Sequence, residues 1–508
     1  MKGLSRKIYL EMQPPTEEDN RSDAERILNK LDEKGYTAKL NLSVLRKLYP
    51  ICERADYQVT VSVAWNGTEW IAVDLEPGNT AANHYGLAVD LGSTTVSAQL
   101  ICCETGKLQA QATVSNHQIK YGTDILTRIF YCKDQPEHLE EIRIATVSTI
   151  RECLQQLEAQ TGIPAASCIQ MVVAGNTTMI HFLIGMDPFC IFSSPYAVHQ
   201  NRPGFLPGQE LGIPISGYVF LVPSKSNYLG GDIISGMIAT ELYRKDEISV
   251  FFDIGTNGEL VIGNKEFLLC GAGAAGPALE GGVVRTGMRA EAGAVDSVKI
   301  DGTRILCHVI GGGTAKGICG SGIIDLLAEL FLHGWIDFRG RLQIEKGEPI
   351  SIGDNNELRV QYSENLFFYQ SDIDEFLRTK AAAYTMVSYM LKETGISMED
   401  VSNFYVAGAF GTHVNKESAI TIGLYPDIDR ERLINAGNTS LEGASQLLLN
   451  LEIQKQIDPI LDHMVYIQFG AVTDFLQMMV AAQAIPHTDL SLFPSVPDKL
   501  SVFRNFNK

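Results

Sequence analysis

The sequence predicts an α/β protein in which one strand–turn–strand unit occurs twice, after a small α+β domain. Apolar strand-like runs alternate with helical periods along most of the chain. Two β-rich segments share the pattern D-[LI]-G-[ST]-[TN] between strands: GLAVDLGSTTVSAQL at 86–100 and FFDIGTNGELVIG at 251–263. Their aspartates, Asp90 and Asp253, lie about one domain length apart, which indicates two copies of one unit that face each other.

Length and composition limit the function classes. The 508 residues allow roughly two to four domains, and the net charge is −19. Because phosphate groups repel an acidic surface, we expect neither nucleic acid nor an anionic membrane as a partner. The N-terminus lacks an apolar signal segment, and no uncharged run reaches ~18 residues, so we predict a cytoplasmic protein without a transmembrane helix.

The ten cysteines do not indicate a disulfide scaffold or a cluster site. They occur without a C-x-x-C pair and without ferredoxin spacing. A metal site could form only if the fold brought cysteines from distant parts of the sequence together. We expect ordinary buried thiols.

The first 84 residues are predicted to form the small α+β domain. A helix should follow the capping residues of EDNRSDAERILNKLDEKG and stop at Gly35. YQVTVSVAWNGTEWIAVDL alternates on both sides of Asn66-Gly67, the pattern of a tight hairpin whose two turn positions need positive φ. The polar segment at 77–84 should join the next domain.

Residues 85–245 are predicted as the first lobe, 246–470 as the second, and 471–508 as a helix and tail that return to the first. The first lobe should contain a long helix at 138–162 and a buried strand that ends in a polar turn at Asn176. In the second lobe, a strand starts at Ser249, a helix covers 380–395 and a buried strand covers 403–411. A final helix is expected at 471–485.

The two repeated turns have the chemistry of a magnesium–phosphate site. A glycine turn exposes successive backbone N–H groups that hold phosphate oxygens, and neighbouring hydroxyl and amide groups add neutral donors. Asp90 and Asp253 cannot bind phosphate directly, but they can hold Mg²⁺ through its retained waters. Each motif taken alone is also an ordinary turn, because Asp, Gly and Ser all suit turns.

A third segment, NFYVAGAFG, favours a nucleotide over a simple anion. Its glycines let a flat group such as adenine approach the strand, although tight strand–helix packing would use them equally well. A P-loop, G-x-x-x-x-G-K-[ST], does not occur in the chain.

These three motifs, in this order, resemble the phosphate-1, phosphate-2 and adenosine motifs of the acetate and sugar kinase, heat-shock chaperone and actin superfamily. The resemblance covers residues 86 to about 485. It implies two ribonuclease-H-like lobes with ATP in the cleft.

One branch of that superfamily is closer still. AGNTTMIHFLIGMDP, NYLGGDIISGMIAT, AAGPALEGGVVRTGMRAEAGA, GICGSGIIDLLAEL and VAGAFGTHVNKESAITIGLYPDI look like segments of the reductive activators of corrinoid proteins. The opening KIYLEMQPPTEEDNRSDAERIL resembles their middle domain. The resemblance implies that ATP drives an electron onto the cobalt of an inactivated Co(II) corrinoid protein and restores Co(I). It also suggests a homodimer.

The resemblance also implies an electron carrier that we do not find. Typical activators have a [2Fe–2S] domain at the N-terminus or [4Fe–4S] clusters at the C-terminus, and no corresponding cysteine pattern occurs here, so we expect no iron–sulfur cluster in this chain. Either a separate low-potential iron–sulfur protein supplies electrons, or the chain is an ATP-dependent remodeller without a redox step.

The site residues follow from the motifs. Asp90 and Asp253 would position Mg²⁺, and Glu259 would orient the attacking water or be a structural acid. GICGSG would open a helix toward the nucleotide or serve packing. The remaining nucleotide-binding residues are predicted to be Gly92, Ser93, Thr94, Thr95, Asn176, Thr177, Gly255, Thr256, Asn257, Gly258, Gly320, Ser321, Gly408, Ala409 and Gly411.

Several residues keep two interpretations. Asn176, Thr177 and Thr178 would complete the site near the γ-phosphate or cap the following helix. Asp232 would cap its helix or face the nucleotide. Arg285 and Arg289 would neutralise phosphate or pair with acids, while His308 and His413 are expected to be structural. No general base is evident from the pattern.

The functional prediction is an ATPase that activates a corrinoid protein. A small-molecule kinase of the same superfamily would instead need a sugar or carboxylic acid to consume ATP. A non-catalytic ATP-gated interaction protein would bind ATP without turnover. Hydrolysis itself needs mainly positioning and charge neutralisation, which the motifs can supply.

Overall fold

The computed structural model describes residues 2–255, 257–273, 284–408, 414–469 and 474–506, without the side chains of 354 and 501–506. The chain divides into two compact units. Unit 1 comprises Met1–Ala239 and Thr439–Asp462, and unit 2 comprises Thr240–Asn438 and His463–Lys508. No helix within the described ranges combines the length and apolar character that crossing a bilayer requires.

Unit 1 begins with a four-stranded sheet of order β1-β3-β4-β2 and two helices. The capping box of α1 pairs Ser22 with Glu25, as the sequence signal indicates. The elements are β1 (Ser5–Glu11), α1 (Asp23–Glu33), β2 (Ala38–Leu40), α2 (Leu42–Arg54), β3 (Gln58–Trp65) and β4 (Trp70–Pro77).

A six-stranded sheet of order β7-β6-β5-β8-β10-β9 follows in the same unit. Strand β8 is buried along its whole length, and α4 ends at Gly162 in the left-handed conformation, as predicted. The elements are β5 (Tyr85–Leu91), β6 (Thr95–Cys102), β7 (Lys107–Ser115), α3 (Ile125–Cys132), α4 (Pro136–Thr161), β8 (Cys168–Gly175), α5 (Thr177–Ile184), α6 (Phe189–Phe192), β9 (Gly204–Pro207), β10 (Tyr218–Leu221) and α7 (Gly231–Thr240).

Unit 2 contains a six-stranded sheet of order β21-β20-β11-β12-β13-β22 and two three-stranded sheets, β15-β14-β16 and β17-β18-β19. Up to residue 438 its elements are β11 (Ser249–Ile254), β12 (Gly258–Gly263), β13 (Leu268–Gly273), β14 (Ala294–Asp301), β15 (Arg304–Val309), β16 (Gly317–Ile318), α8 (Gly320–Leu332), β17 (Ile350–Ile352), β18 (Leu358–Ser363), β19 (Leu366–Tyr369), α9 (Gln370–Thr394), β20 (Asn403–Ala407), α10 (Lys416–Thr421) and β21 (Leu433–Gly437).

The chain then supplies helices to unit 1 before it completes unit 2. Helix α11 packs against β5 and β8 of unit 1, whereas α14 packs against α9 of unit 2. The elements are α11 (Thr439–Leu449), α12 (Leu451–Gln454), α13 (Ile457–His463), β22 (Met464–Ile467), α14 (Phe475–Ala482) and α15 (Ser495–Phe506).

The two six-stranded sheets contain the same five-strand arrangement. In unit 1, β5, β6 and β7 are successively antiparallel, while β8 is parallel to β5 and β10 is parallel to β8. In unit 2, β11, β12 and β13 are successively antiparallel, while β20 is parallel to β11 and β21 is parallel to β20. The predicted internal repeat and the two ribonuclease-H-like lobes are therefore confirmed.

The return to the first lobe differs from the prediction. Residues 439–462 make it, and 471–508 do not, because the carboxyl-terminal segment is anchored in unit 2. The buried Nζ of Lys380 donates hydrogen bonds to the carbonyl oxygens of Ala482, Ala484 and Pro486 at 2.5–2.7 Å. Phe493 lies in the apolar core of the same unit.

Three local predictions also change. The hairpin at Asn66-Gly67 exists, but its loop spans four residues, and the Asn66 Oδ1 accepts hydrogen bonds from the backbone N–H groups of Thr68 and Glu69. Helix α9 starts ten residues before the predicted position, because Asp372 caps its first turn. The helix at 475–482 is followed by α15 and is therefore not the last.

Candidate functional site

The first acid-tipped hairpin joins β5 to β6 in unit 1, as predicted. Asp90 lies opposite Ser97 near the end of β5. Residues 92–94, called the first loop below, connect the strands, and Thr95 begins β6. Gly92 needs to be glycine, because an added Cβ would lie 2.5 Å from the carbonyl oxygen of Thr95. The backbone therefore turns too tightly here for any side chain.

Three carbonyl oxygens of the first loop accept hydrogen bonds from the protein. The Asn116 Nδ2 donates to Gly92 at 2.9 Å, and the Asn116 backbone N–H donates to Thr94 at 2.9 Å. The Nη1 of Arg128, a fully buried residue, donates to the carbonyl of Ser93 at 2.7 Å. Because these carbonyl oxygens are bound within the protein, their negative ends do not compete with an anion at the loop. The sequence analysis missed both Asn116 and Arg128.

Two carboxylates come together beside this loop. The Ser440 Oγ donates a hydrogen bond to the Asp90 Oδ1 at 2.8 Å. Asp232, the second residue of α7, accepts the backbone N–H of Ile233 at 2.9 Å. Burial, and with it the negative charge of Asp90, raises the pKa of Asp232 to about 7. Asp232 therefore lies in the first turn of α7, and it is near enough to Asp90 for the charge of Asp90 to raise its pKa.

The polar turn after β8 caps a helix. The Asn176 Oδ1 accepts the backbone N–H of Met179 at 2.9 Å, and the Thr177 Oγ1 donates to the carbonyl of Ser226 at 2.8 Å. An added Cβ on Gly230 would lie 2.4 Å from the Asn176 Cα and 2.7 Å from the Asp232 Oδ1. The GGD motif is therefore packed directly onto this turn. The contact of Asn176 and Thr177 with a nucleotide stays a prediction.

The second acid-tipped hairpin joins β11 to β12 in unit 2, again as predicted. Asp253 lies opposite Glu259, in the position that Asp90 has in the first hairpin. The backbone N–H of Gly255 donates to the carbonyl of Asn257 at 3.0 Å, and Gly258 begins β12. Thr256 lies outside the described residues.

Gly408 follows β20 and lies against this aspartate. Its φ is +89°, and an added Cβ would lie 2.5 Å from the Ile254 carbonyl oxygen and 2.8 Å from the Asp253 Oδ1. Glycine is needed both for the left-handed backbone and for the close approach. The structure thus gives Gly408 a contact with Asp253, while Ala409 and Gly411 lie outside the described residues.

The glycine-rich segment at 317–322 opens α8, as predicted. Gly320 and Ser321 form its first turn, and the Ser321 Oγ lies 3.3 Å from the Cys319 Sγ. An added Cβ on Gly322 would lie 2.3 Å from the Val295 carbonyl oxygen, so the segment packs closely on β14. The packing interpretation accounts for Gly322, and a role of Gly320 or Ser321 toward a nucleotide stays a prediction.

Other side chains that the sequence analysis named have partners within the protein. Arg285 pairs with Glu357 at 2.7 Å and lies over the Tyr369 ring. The His308 Nδ1 lies 2.6 Å from an Asp296 carboxylate oxygen. His413 lies outside the described residues. Six of the ten cysteines are buried and four are partly buried, and all carry free thiols.

Unit 1 thus supplies oxygen ligands of the kind that Mg²⁺ prefers, next to a glycine loop with bound carbonyls. The key side chains are Asp90 and Asp232, and α11 brings Ser440 to Asp90. Sequence reasoning missed Ser440. Asn438 and Thr439 before SLEGASQLLL could indicate a helix start, but not which strand the helix contacts.

Comparisons with known families cover nearly the whole chain. Residues 1–82 match the RACo linker region, and residues 85–245 match the RACo middle region. Residues 247–497 match the C-terminal domain of RACo, the ASKHA domain.

Two curated proteins are similar over most of their length. The corrinoid activation enzyme RamQ of Eubacterium limosum is 31% identical over 445 residues, which cover 81% of this chain and 74% of that protein. The [Co(II) methylated amine-specific corrinoid protein] reductase of Methanosarcina barkeri is 24% identical over 416 residues, which cover 73% of each.

A solved structure has the same fold. The reductive activator for a corrinoid, iron–sulfur protein superposes with a TM-score of 0.89 at 36% sequence identity. The match covers 97% of this chain and 81% of that chain. The similarity therefore extends from sequence motifs to the complete arrangement of strands and helices.

Proposed function

Because the chain belongs to the RACo family of corrinoid-protein activators, we propose that it hydrolyses ATP to assist the reduction of an inactivated Co(II) corrinoid protein to Co(I). The observation that carries this proposal is the repeated acid-tipped hairpin, Asp90 in one ribonuclease-H-like sheet and Asp253 in the other. The similarity to RamQ, a corrinoid activation enzyme, and to a reductase of a methylated amine-specific corrinoid protein supports the choice of partner.

The described residues fit a hydrated magnesium nucleotide. Gly92 lets the hairpin turn tightly, and the carbonyl oxygens of the first loop accept hydrogen bonds from Asn116 and Arg128. Asp90 and Asp253 would hold Mg²⁺ through its water shell, and the metal would neutralise phosphate charge. The first loop with Thr95, and residues 255–258, would bind phosphate groups. Gly408, Ala409 and Gly411 would line the adenosine.

We propose Asp232 as the general base, because it is buried near Asp90 and its pKa is raised. A base that works near neutral pH needs a pKa near 7, and burial together with the charge of Asp90 gives Asp232 that value. When two carboxylates in one site have different pKa values, they can take different roles. Here Asp90 would stay ionised and Asp232 would exchange a proton. Glu259, opposite Asp253, is the second candidate, and we propose that it orients the water.

The electron for cobalt would come from a separate low-potential iron–sulfur protein. One electron passes from its reduced cluster to Co(II), which becomes Co(I), while ATP and water give ADP and phosphate. Hydrolysis can drive this uphill transfer only if the ATP-bound and ADP-bound forms bind the corrinoid protein differently.

The test mixes the protein with MgATP, a reduced iron–sulfur donor and a Co(II) corrinoid protein, and follows the absorbance change from Co(II) to Co(I). We expect the change to require ATP and to fail with a non-hydrolysable analogue. If ATP does not change the cobalt spectrum with any donor or any corrinoid partner, the proposal is contradicted. ATP consumption that needs a sugar or carboxylic acid would identify a kinase instead.

A further inference from the structure

The first turn of α11 reaches the carboxylate pair of unit 1. The Oγ of Ser440, a residue only 6% exposed, donates to the Asp90 Oδ1 at 2.8 Å. The helix comes close to α7, because an added Cβ on Gly443 would lie 2.0 Å from the carbonyl oxygen of Ser235. Asp232 also lies on α7, three residues before Ser235.

Thr439 carries a buried hydroxyl that the described protein leaves without a partner. Its side chain is 3% exposed, and its Oγ1 has no hydrogen-bond partner among the described residues. Burying a hydroxyl without a hydrogen bond is unfavourable, so such a group usually serves a water, an ion or a ligand. Thr439 is the first residue of α11 and the immediate neighbour of Ser440.

The terminus of α11 adds a favourable field for phosphate. The first N–H groups of an α-helix have no partner inside the helix and carry partial positive charge. The helix has 11 residues, enough for an aligned set of peptide dipoles. The buried Thr439 hydroxyl lies at this terminus, and the neighbouring Ser440 donates a hydrogen bond to Asp90 near the end of β5.

We infer that the first turn of α11 is part of the magnesium–nucleotide site. Ser440 is a positioning residue that fixes the Asp90 carboxylate. Thr439 Oγ1 binds an oxygen of the hydrated magnesium nucleotide, either a metal-bound water or a phosphate oxygen. This inference rests on the proposed function, since it extends the same site to two residues that the motifs do not include.

Thr439→Val tests the hydroxyl by calorimetric titration with ATP. We expect binding of MgATP to weaken about 3- to 10-fold, the effect of one lost hydrogen bond, and Thr439→Ser to retain it. Titration in EDTA, which removes Mg²⁺, distinguishes a metal-bound water from a phosphate oxygen as the partner of the Thr439 hydroxyl. A loss seen only with Mg²⁺ assigns a metal-bound water, and a loss also seen without Mg²⁺ assigns a phosphate oxygen.

The stability of the nucleotide-free protein provides a second readout. Removal of a buried hydroxyl without a partner should leave the unfolding temperature of Thr439→Val unchanged or higher. Thr385→Val is the matched control in unit 2, because the Thr385 Oγ1 is also buried without a partner among the described residues. It should not change ATP affinity.

Ser440→Ala tests the positioning role. We expect the Mg²⁺ concentration for half-maximal hydrolysis to rise about 3- to 10-fold, and Ser440→Thr to restore it, because a threonine hydroxyl can donate the same hydrogen bond. A merely structural role would lower the unfolding temperature without changing the Mg²⁺ requirement.

Unchanged MgATP affinity in folded Thr439→Val would overturn the role of Thr439, and an unchanged Mg²⁺ requirement in Ser440→Ala would overturn that of Ser440. If Thr439→Val does not fold, Thr439→Ala takes its place in the same titration. Failure of the unmodified protein to bind MgATP would instead contradict the proposed function. The two failures are therefore distinguishable.

Discussion

An added Cβ on Gly408 would lie 2.8 Å from the Oδ1 of Asp253, so the glycine after β20 sets the space available to the aspartate of the second hairpin. Gly408 directly follows β20, which is parallel to β11, and Asp253 of β11 pairs with Ala407 of β20. This contact links the predicted adenosine motif to the predicted metal-binding residue within one unit. It also explains why glycine is required at position 408.

Gly408→Ala should therefore displace the Asp253 carboxylate. We expect ATP hydrolysis to fall about tenfold or more, as is common when a catalytic group is misplaced. Gly395→Ala is the matched control, because Gly395 also has a positive φ, +67°, but an added Cβ there meets nothing within 4 Å. Equal activity losses in the two variants, measured by phosphate release, would contradict a specific role of the 408–253 contact.

Asp232→Asn should remove the proposed general base. We expect hydrolysis by the unmodified protein to rise with pH through about 7, the raised pKa of Asp232. The variant should lose this rise and about 10²–10⁴-fold in turnover. Glu259→Gln is the comparison. If Glu259→Gln abolishes the pH-dependent rise and Asp232→Asn retains it, Glu259 and not Asp232 is the base.

The same pKa shift predicts a pH effect on folding. An unfolded aspartate titrates near pH 4. Between about pH 4 and 7 the folded protein keeps a proton that the unfolded chain has lost. The stabilisation from Asp232 is therefore complete below about pH 4 and is lost as the pH rises through about 7. Asp232→Asn should raise the unfolding temperature more at pH 8 than at pH 5. An equal change at both values would contradict the shift.

Glu417 should stabilise the last helix of the chain at neutral pH. Its hydrogen bond with Arg430 lowers the pKa of Glu417 to about 2, and Lys499 of α15 contributes a second hydrogen bond at 2.6 Å. Because the folded pKa is depressed, the stabilisation exists above about pH 4 and is lost as the pH falls through about 2. Glu417→Gln should lower the unfolding temperature by about 1–3 °C at pH 7. A loss that persists unchanged toward pH 2 would contradict this account.

Lys380→Met should release the carboxyl-terminal segment from unit 2. The substitution leaves three carbonyl oxygens, those of Ala482, Ala484 and Pro486, without the ammonium that binds them. We expect a loss of about 2–4 kcal/mol in unfolding free energy, measured by urea titration. Lys392→Met on the same helix is the control, because the Lys392 side chain is 61% exposed. A smaller effect at Lys380 than at Lys392 would refute the anchoring role.

The hairpins could be predicted because their information is local. Asp90-Leu91-Gly92 and Asp253-Ile254-Gly255 combine apolar strands with a residue type that only a tight turn needs, and the structure forms both hairpins. Helix α4 and its stop at Gly162 follow from periodicity and from a left-handed cap. Such signals depend on neighbours within a few residues.

Contacts between distant segments could not be predicted in this way. Ser440 and Asp90 are 350 residues apart, and no periodicity indicates that α11 packs on β5. Arg128 occurs in an ordinary helical pattern, yet its guanidinium is buried and holds the first loop. The pKa of Asp232 likewise depends on burial and on Asp90, which only the folded chain brings near it.

The most direct test of the central claim is equilibrium binding of ATP, with and without Mg²⁺, to the unmodified protein, Asp90→Asn and Asp253→Asn. We predict that Mg²⁺ tightens ATP binding to the unmodified protein by about tenfold or more. Each variant should lose most of this gain, because each removes a carboxylate that we propose to hold the metal's waters. If the unmodified protein does not bind MgATP, or if both variants keep the full effect of Mg²⁺, the paired acid-tipped hairpins are not a magnesium–nucleotide site.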